Sequence, residues 1–232
     1  MSKLPALKVR ATKMPSEERK VLIARAAAKL FAEKGFHATT LKAIAVGADV
    51  SEALLLKYFP TKEDLLAASL DACRQTTFFA SLQELLPTEP STKALVHAVQ
   101  VVTRQITMTP KSSDRESRDT VIRMLLRSLC EDGEFATLML SDLDEKVATF
   151  FASCLERASA NGDLDESAPQ PALAVAWMRI QLSLAVQAFQ LPEKSPVGYG
   201  VSKKQFSDAL IRFQLLGMGL KGSVVRKYLA EE

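Results

Sequence analysis

A chain of 232 residues with 47% hydrophobic, 25% charged and only 6% aromatic residues has ordinary globular composition and can bury a sizeable core. The formal net charge of +3 hides an asymmetry: 12 Lys/Arg stand against 5 Asp/Glu up to Lys62, a net of +7, and 18 against 22 after it, a net of −4. Positive charge concentrated in a short N-terminal part suits contact with a polyanion, and the acidic remainder does not. Cys73, Cys130 and Cys154 are odd in number and far apart inside apolar stretches, so neither a disulfide framework nor a thiolate metal site is expected, and a cytoplasmic setting fits. No apolar signal core opens the chain, and the apolar runs at 21–24 and 171–178 are cut short by Arg25 and Arg179, so neither secretion nor a membrane span is expected.

Gly and Pro fall between long segments of helical period, which predicts an all-α protein of about nine helices without solenoid repeats. Residues 1–14 carry Lys3, Lys8, Arg10 and Lys13 without period and read as a flexible basic arm. Ser16 is placed to cap a first helix with Val21, Ile23, Ala27, Leu30 and Phe31 along one face, ending at Lys34 and at Gly35, which suits a left-handed cap. Thr39 or Thr40 caps a two-turn helix that turns Leu41, Ile44, Ala45 and Ala48 inward. After the turn at Asp49-Val50, Ser51 caps a third short helix that buries Leu55 and Phe59 and stops at Pro60. Thr61 then opens the next helix, with Asp64 as the acidic half of a capping box.

Two short helices joined by a tight turn, the second opening at a capping Ser and carrying basic residues on its exposed side, make a helix-turn-helix. So small a unit buries little apolar surface and needs the first and fourth helices as a brace. The chain therefore divides into the arm at 1–14, a helix-turn-helix DNA-binding domain at 15–62 and a helical domain at 63–232. The latter has helices expected at about 62–86, 92–109, 114–131, 135–160, 169–190 and 203–220. Residues 172–189 are apolar nearly all round, which implies burial on two sides. In 203–220, Phe206, Ala209, Leu210, Phe213, Leu216, Gly217 and Leu220 form one wide apolar stripe.

From Leu30 to Leu66 the sequence LFAEKGFHATTLKAIAVGADVSEALLLKYFPTKEDLL resembles the N-terminal signature of the TetR family of transcriptional regulators. The likeness covers about 50 residues. It lies in the Phe-Ala-Glu-Lys-Gly run, the Thr39-Thr40 pair, Ile44-Ala45, Val50-Ser51 and the segment Tyr58 to Glu63. The resemblance implies phosphate contacts from Thr40 and Lys42, from Lys57 and Tyr58 on the recognition helix, and from Lys62. Base choice falls to the outward Ser51, Glu52, Ala53 and Leu54. Glu52 could accept from a cytosine amino group and Leu54 could touch a thymine methyl. Several positions depart from the pattern: Asp49 replaces a glycine, Glu52 a basic or small polar residue, Ala53 a glycine, Leu54 a small hydroxyl and Leu56 an aromatic. Asp tolerates the left-handed backbone a turn needs, so the fold should survive Asp49. Glu52 and Leu56 remove phosphate affinity and point to an unusual operator. Plainer roles stand beside these: Thr40 and Ser51 as caps, Lys42 and Lys57 as solvated surface, Tyr58 as partial core, His37 as a turn residue and His97 as a half-buried side chain.

The resemblance further implies a homodimer, built from the last two helices through Val175, Leu182, Phe206, Leu210, Phe213 and Gly217, although an intramolecular core is the alternative for each helix. Two-fold symmetry would let two recognition helices read a palindrome of double-stranded DNA. In the family the middle helices enclose an effector pocket, for which Phe78, Phe79, Leu82, Met124, Leu125, Met139, Phe150, Phe151, Cys154 and Trp177 are the candidates here, implying an apolar or aromatic small molecule. Arg123 or Arg179, if buried without an acid, would mark an acidic ligand. No cofactor, metal site or catalytic set is expected, since the two histidines are isolated and no Ser/His/Asp or Cys/His combination appears. The expected protein is a ligand-released repressor; a helical carrier or enzyme, or an interaction module without sequence recognition, are its rivals.

Overall fold

The helical periodicity resolves into eleven α-helices among the described residues, 15–74, 89–108 and 113–230, of a computed structural model. They are α1 (Ser16–Lys34), α2 (Leu41–Gly47), α3 (Glu52–Tyr58), α4 (Lys62–Arg74), α5 (Thr92–Met108), α6 (Ser113–Cys130), α7 (Glu134–Leu143), α8 (Thr149–Ala160), α9 (Ala172–Phe189), α10 (Lys203–Gly217) and α11 (Gly222–Ala230). The basic arm and Phe78, Phe79 and Leu82 lie outside the described residues. Two features raise the number above nine. A single π-helical turn, Asp144–Ala148, divides the segment expected as one helix, and α11 forms from residues that the apolar stripe of α10 does not include. A π turn inserts one residue without interrupting helical polarity, so a periodic pattern does not reveal it.

Local capping signals account for the helix starts of the head after α1. Thr40 Oγ1 accepts from the Ala43 amide and Ser51 Oγ from the Leu54 amide, both at 3.1 Å. Thr61 and Asp64 exchange both bonds of a capping box at 3.0 Å. Ser16 is not a cap: Pro15 holds that position, and Ser16 Oγ instead donates to the Tyr58 hydroxyl at 3.4 Å. Proline is tolerated there because its φ of −54° is compatible with the extended ψ of 148° before the first turn, and the helical ladder takes no bond from that amide. Asp49 takes φ +53°, the left-handed turn conformation that aspartate tolerates.

The packing does not follow the head-and-body division cleanly. One core gathers Ile23, Ala27 and Phe31 of α1, Ile44 and Ala45 of α2, Leu55 of α3 and Leu65, Leu66 and Leu70 of α4 around Val121, Met124 and Leu125 of α6 and Phe135 and Met139 of α7. The helix-turn-helix is thus braced by α1 and α4, as its small size requires, and by α6 and α7 besides. A second core joins α5, α8, α9, α10 and α11 through Leu95, Val99, Phe151, Cys154, Ile180, Ile211, Leu215 and Val225, and Leu184 of α9 touches both. A small third cluster of Val102, Ile106 and Val186 takes Leu182, Phe206 and Leu210 against it.

Helix α9 is long and apolar enough to cross a membrane by length and composition, with a mean hydropathy of 1.4. Its inner face, Val175, Ala176, Arg179, Ile180, Ser183, Val186 and Gln187, is buried in the bundle, while Leu173, Met178 and Phe189 are exposed. Helix α10 turns Ser207, Ile211, Gln214 and Leu215 inward, so the expected stripe mostly faces out. Leu220 leaves the stripe altogether, buried beyond the end of α10 in an isolated bridge with Leu164.

Gly35 ends α1 at φ +86° and ψ 164°, a region open essentially to glycine alone and more restrictive than the left-handed cap expected there. A Cβ would also lie 2.6 Å from Glu131 Oε1 and 2.9 Å from Arg127 Nε. Gly35→Ala is expected to destabilise the protein by about 1–3 kcal/mol in urea denaturation, and an unchanged midpoint would show that this corner relaxes freely.

Candidate nucleic-acid interface

The outer side of the head is built by two caps and two short helices. Thr40, Lys42, Ser51, Glu52, Ala53 and Lys57 are exposed there, while Leu54, Tyr58 and Lys62 are half-buried. Capping does not use up Thr40 or Ser51, because each hydroxyl accepts from the backbone and keeps its own O–H to donate outward. Lys42 and Lys57 stand in solvent. Glu52 occupies the first turn of α3, where a carboxylate favours the helix terminus but repels a phosphate. Tyr58 is tied toward α1 through Ser16. Lys62 is also engaged: its Nζ donates to the His37 carbonyl at 3.2 Å and lies 4.5 Å from the Phe36 ring centroid, and partial burial pushes its pKa down against the pull of Glu63. Sequence periodicity did not flag Val46, which is 75% exposed one turn after Lys42.

Sequence reasoning also missed the polar joint between this head and the corner that links α6 to α7. Arg127 donates from Nη1 to the Glu33 carbonyl at 2.7 Å and from Nε to Glu131 Oε1 at 3.1 Å. His37 Nε2 meets Asp132 Oδ2 at 2.5 Å, and Asp132 Oδ1 accepts from the Glu134 amide at 2.9 Å. The Glu134 amide holds the Asp132 carboxyl below its usual range against the opposing effect of burial, and His37 adds to the lowering. The partners are nearly a hundred residues apart, so only the tertiary structure brings them together.

The residues expected to line an effector pocket do not form one wall. Met124, Leu125 and Met139 are in the first core, whereas Phe150, Phe151 and Cys154 are in the second with Trp177 against it. Phe150 and Phe151 meet edge to face at 5.7 Å, and burial raises the Cys154 thiol pKa. Arg123 is exposed and donates to the Leu191 carbonyl at 3.0 Å, so it is no internal anchor; Arg179 is buried. Among the described residues no three His, Cys, Asp or Glu side chains are grouped to hold a metal ion.

Of the residues expected at a dimer interface, Val175 is 3% exposed and belongs to the core of the chain itself, because α9 presents that face inward. Leu182, Phe206 and Leu210 are half-buried in the third cluster, with Phe206 stacked on Tyr199 at 4.2 Å. Phe213 is 64% exposed, and open space surrounds Gly217. Leu173, Met178 and Phe189 on α9 and Leu216 on α10 extend the exposed apolar surface beyond the residues that periodicity selected.

Residues 23–69 match the family model of bacterial regulatory proteins, tetR family. An HTH-type transcriptional regulator, HbdR of Aromatoleum sp. (strain CIB), is 46% identical over 54 residues, which are 23% of this chain and 24% of that protein. The chain thus aligns with about a quarter of that relative's length. The whole fold is similar to AibR in complex with isovaleryl coenzyme A and operator DNA, with a TM-score of 0.63 at 18% identity, covering 88% of this chain and 100% of that one. It is also similar to FadR of Bacillus subtilis in complex with stearoyl-CoA, with a TM-score of 0.59 at 16% identity, covering 84% of this chain and 97% of that one.

The joint has a pH signature. A carboxyl held low in the folded state adds stability above its unfolded pKa and loses it as pH falls through the folded one. Asp132→Asn should therefore lower the thermal midpoint at pH 7, and the gap from the wild type should close on acidification below the usual carboxylate range. A gap independent of pH would exclude an ionised Asp132 from the joint.

Proposed function

We propose that the chain, whose residues 23–69 match the family model of bacterial regulatory proteins, tetR family, is a cytoplasmic, homodimeric transcriptional regulator that binds DNA through that head and is released from a palindromic operator by a small-molecule effector. The observation that carries the reading is the head itself, with two capped short helices whose exposed hydroxyls and lysines stand on one side of a braced core. In this reading Thr40, Lys42, Lys57, Tyr58 and Lys62 meet phosphates and fix register. Ser51, Glu52, Ala53 and Leu54 face the bases, and the basic arm adds charge. Lys62 keeps donor hydrogens beyond the one given to His37, since an ammonium has three. The proposed domain boundaries are 1–14, 15–62 and 63–232, with the head sharing part of its core with the larger domain.

Dimerisation is supported by the exposed apolar side chains of α9 and α10, because two short recognition helices on separate chains need a fixed spacing to read a palindrome. An effector is supported by analogy with AibR and FadR, whose structures contain isovaleryl coenzyme A and stearoyl-CoA. Such a ligand acts by binding more tightly to a head spacing that does not fit the operator. Repression is the simplest outcome of operator occupancy.

Selection of bound sequences from random duplex DNA at about 0.15 M salt tests the whole reading. A palindromic consensus is expected, while recovery of no enriched sequence would favour an interaction module or carrier. On the selected operator, Lys57→Ala should flatten the dependence of log K on log salt by about 0.9 for each phosphate that Lys57 neutralises, hence about 1.8 for a dimer. An unchanged slope would remove Lys57 from the interface. Phe213→Glu should give monomers by sedimentation velocity and abolish operator binding, whereas an intact dimer would place the interface elsewhere.

A further inference from the structure

A guanidinium taken out of water must be neutralised or fully hydrogen-bonded, because its hydration is lost on burial. At Arg118 of α6, which is buried with its Nε unpartnered, the charge is offset: Nη1 donates to the Gln105 carbonyl at 2.9 Å and Nη2 lies 3.6 Å from Asp119. The fold does not meet this demand at Arg179, near the middle of α9. That side chain is 4% exposed, lies over the Phe151 ring with its central carbon 4.1 Å from the centroid, and has no partner at Nε or Nη2. Those two atoms form the side-on edge of the guanidinium, the fork that matches the two oxygens of a carboxylate. Burial pushes its pKa down to about 9, which leaves the charge in place at neutral pH.

Arg179 does not stand alone. Ser183 and Gln187 follow it at four-residue steps on the same buried face of α9, and Ser183 Oγ and Gln187 Oε1 are likewise buried without partners. A helix that packs polar atoms along one face and leaves several unsatisfied is arranged for something the chain does not itself supply.

We propose that this face of α9 is an effector site for a monocarboxylic acid with an apolar body, its carboxylate held side-on by Nε and Nη2 of Arg179. The inference rests on the effector-responsive reading above and gives it a ligand class. Full burial favours one negative charge against one positive charge. A phosphate carries more charge than a single guanidinium offsets, and the several phosphates of a coenzyme A head could not be enclosed by this group alone. The apolar body would lie among the hydrophobic side chains of the second core.

The test uses the full chain, thermal denaturation and titration calorimetry with butanoic, octanoic, benzoic and phenylacetic acids, their primary amides, and octanoyl-coenzyme A. At least one acid should raise Tm and bind tenfold or more tightly than its amide. Arg179→Met should weaken that binding by tenfold or more with an unchanged or raised Tm without ligand, since an unpaired buried charge has gone. Arg179→Lys should fall between, because an ammonium cannot reproduce the fork. No acid binding, equal binding of acid and amide, or acid binding undiminished in Arg179→Met would each overturn the proposal. The comparison of acid with amide decides it on the wild type even if a variant fails to fold. Octanoyl-coenzyme A binding equally to wild type and Arg179→Met, without acid binding, would overturn the site while leaving an effector-responsive regulator. Acid binding through Arg179 that leaves the selected operator occupied would sustain the site and overturn the release mechanism.

Discussion

Helix α1 is the element on which the remaining head structure depends. Its inner face alternates small residues, Ala24, Ala27, Ala28 and Ala32, with Ile23 and Phe31, so other helices approach closely between two large anchors. On that face it meets α2, α4 and α6 together. Ser69 of α4 adds a buried bond to the Ala24 carbonyl at 3.1 Å, and Phe31 packs against Phe36 at 5.4 Å between centroids. Without this brace the two short helices would have almost no core of their own, since each contributes only one or two buried side chains.

Because α1 also belongs to the core of α6 and α7, the recognition unit is not free to settle independently of the larger domain. The joint from Glu33 to Arg127 and from His37 to Asp132 adds a directional constraint to the apolar one. Apolar packing tolerates small slides, whereas hydrogen bonds at these distances fix orientation. Under the proposed mechanism this stiffness has a use: a ligand that moved the body helices by a small amount would carry the head with them, because close-packed interfaces shift between arrangements rather than stretch.

Helices α9 and α10 face opposite demands on their two sides. Inward, they carry buried polar side chains: Arg179, Ser183 and Gln187 on α9, and Ser207 and Gln214 on α10, where Gln214 reaches Thr103 of α5 at 3.0 Å. Outward, they expose Met178 and Phe213, each more than 60% accessible. Polar groups thus interrupt the buried apolar face, and apolar groups interrupt the exposed one, against the usual partition of a surface helix. Both departures follow if a second copy covers the outside and a ligand enters within.

Much of the head is legible from the sequence because its determinants are local. Thr40, Ser51 and the Thr61-Asp64 pair act within three residues, Asp49 answers a single dihedral, and Pro60 ends a helix by lacking one amide hydrogen. The all-α class and most helix bounds follow from period alone. What the sequence does not decide is which side of a two-sided apolar helix meets the chain itself. Val175, expected to face a partner, is buried, while Met178, three residues on, is exposed. The two candidates look alike as letters, and only the crossing geometry of α9 over its neighbours separates them. The same holds for Arg179 and Arg123: the sequence raises the question for both, and burial leaves one on the surface holding a carbonyl and the other enclosed without an acid. Composition and period determined the elements and the head, because short-range bonding sets them; tertiary packing alone decided burial and pairing, because these depend on residues far apart in the chain.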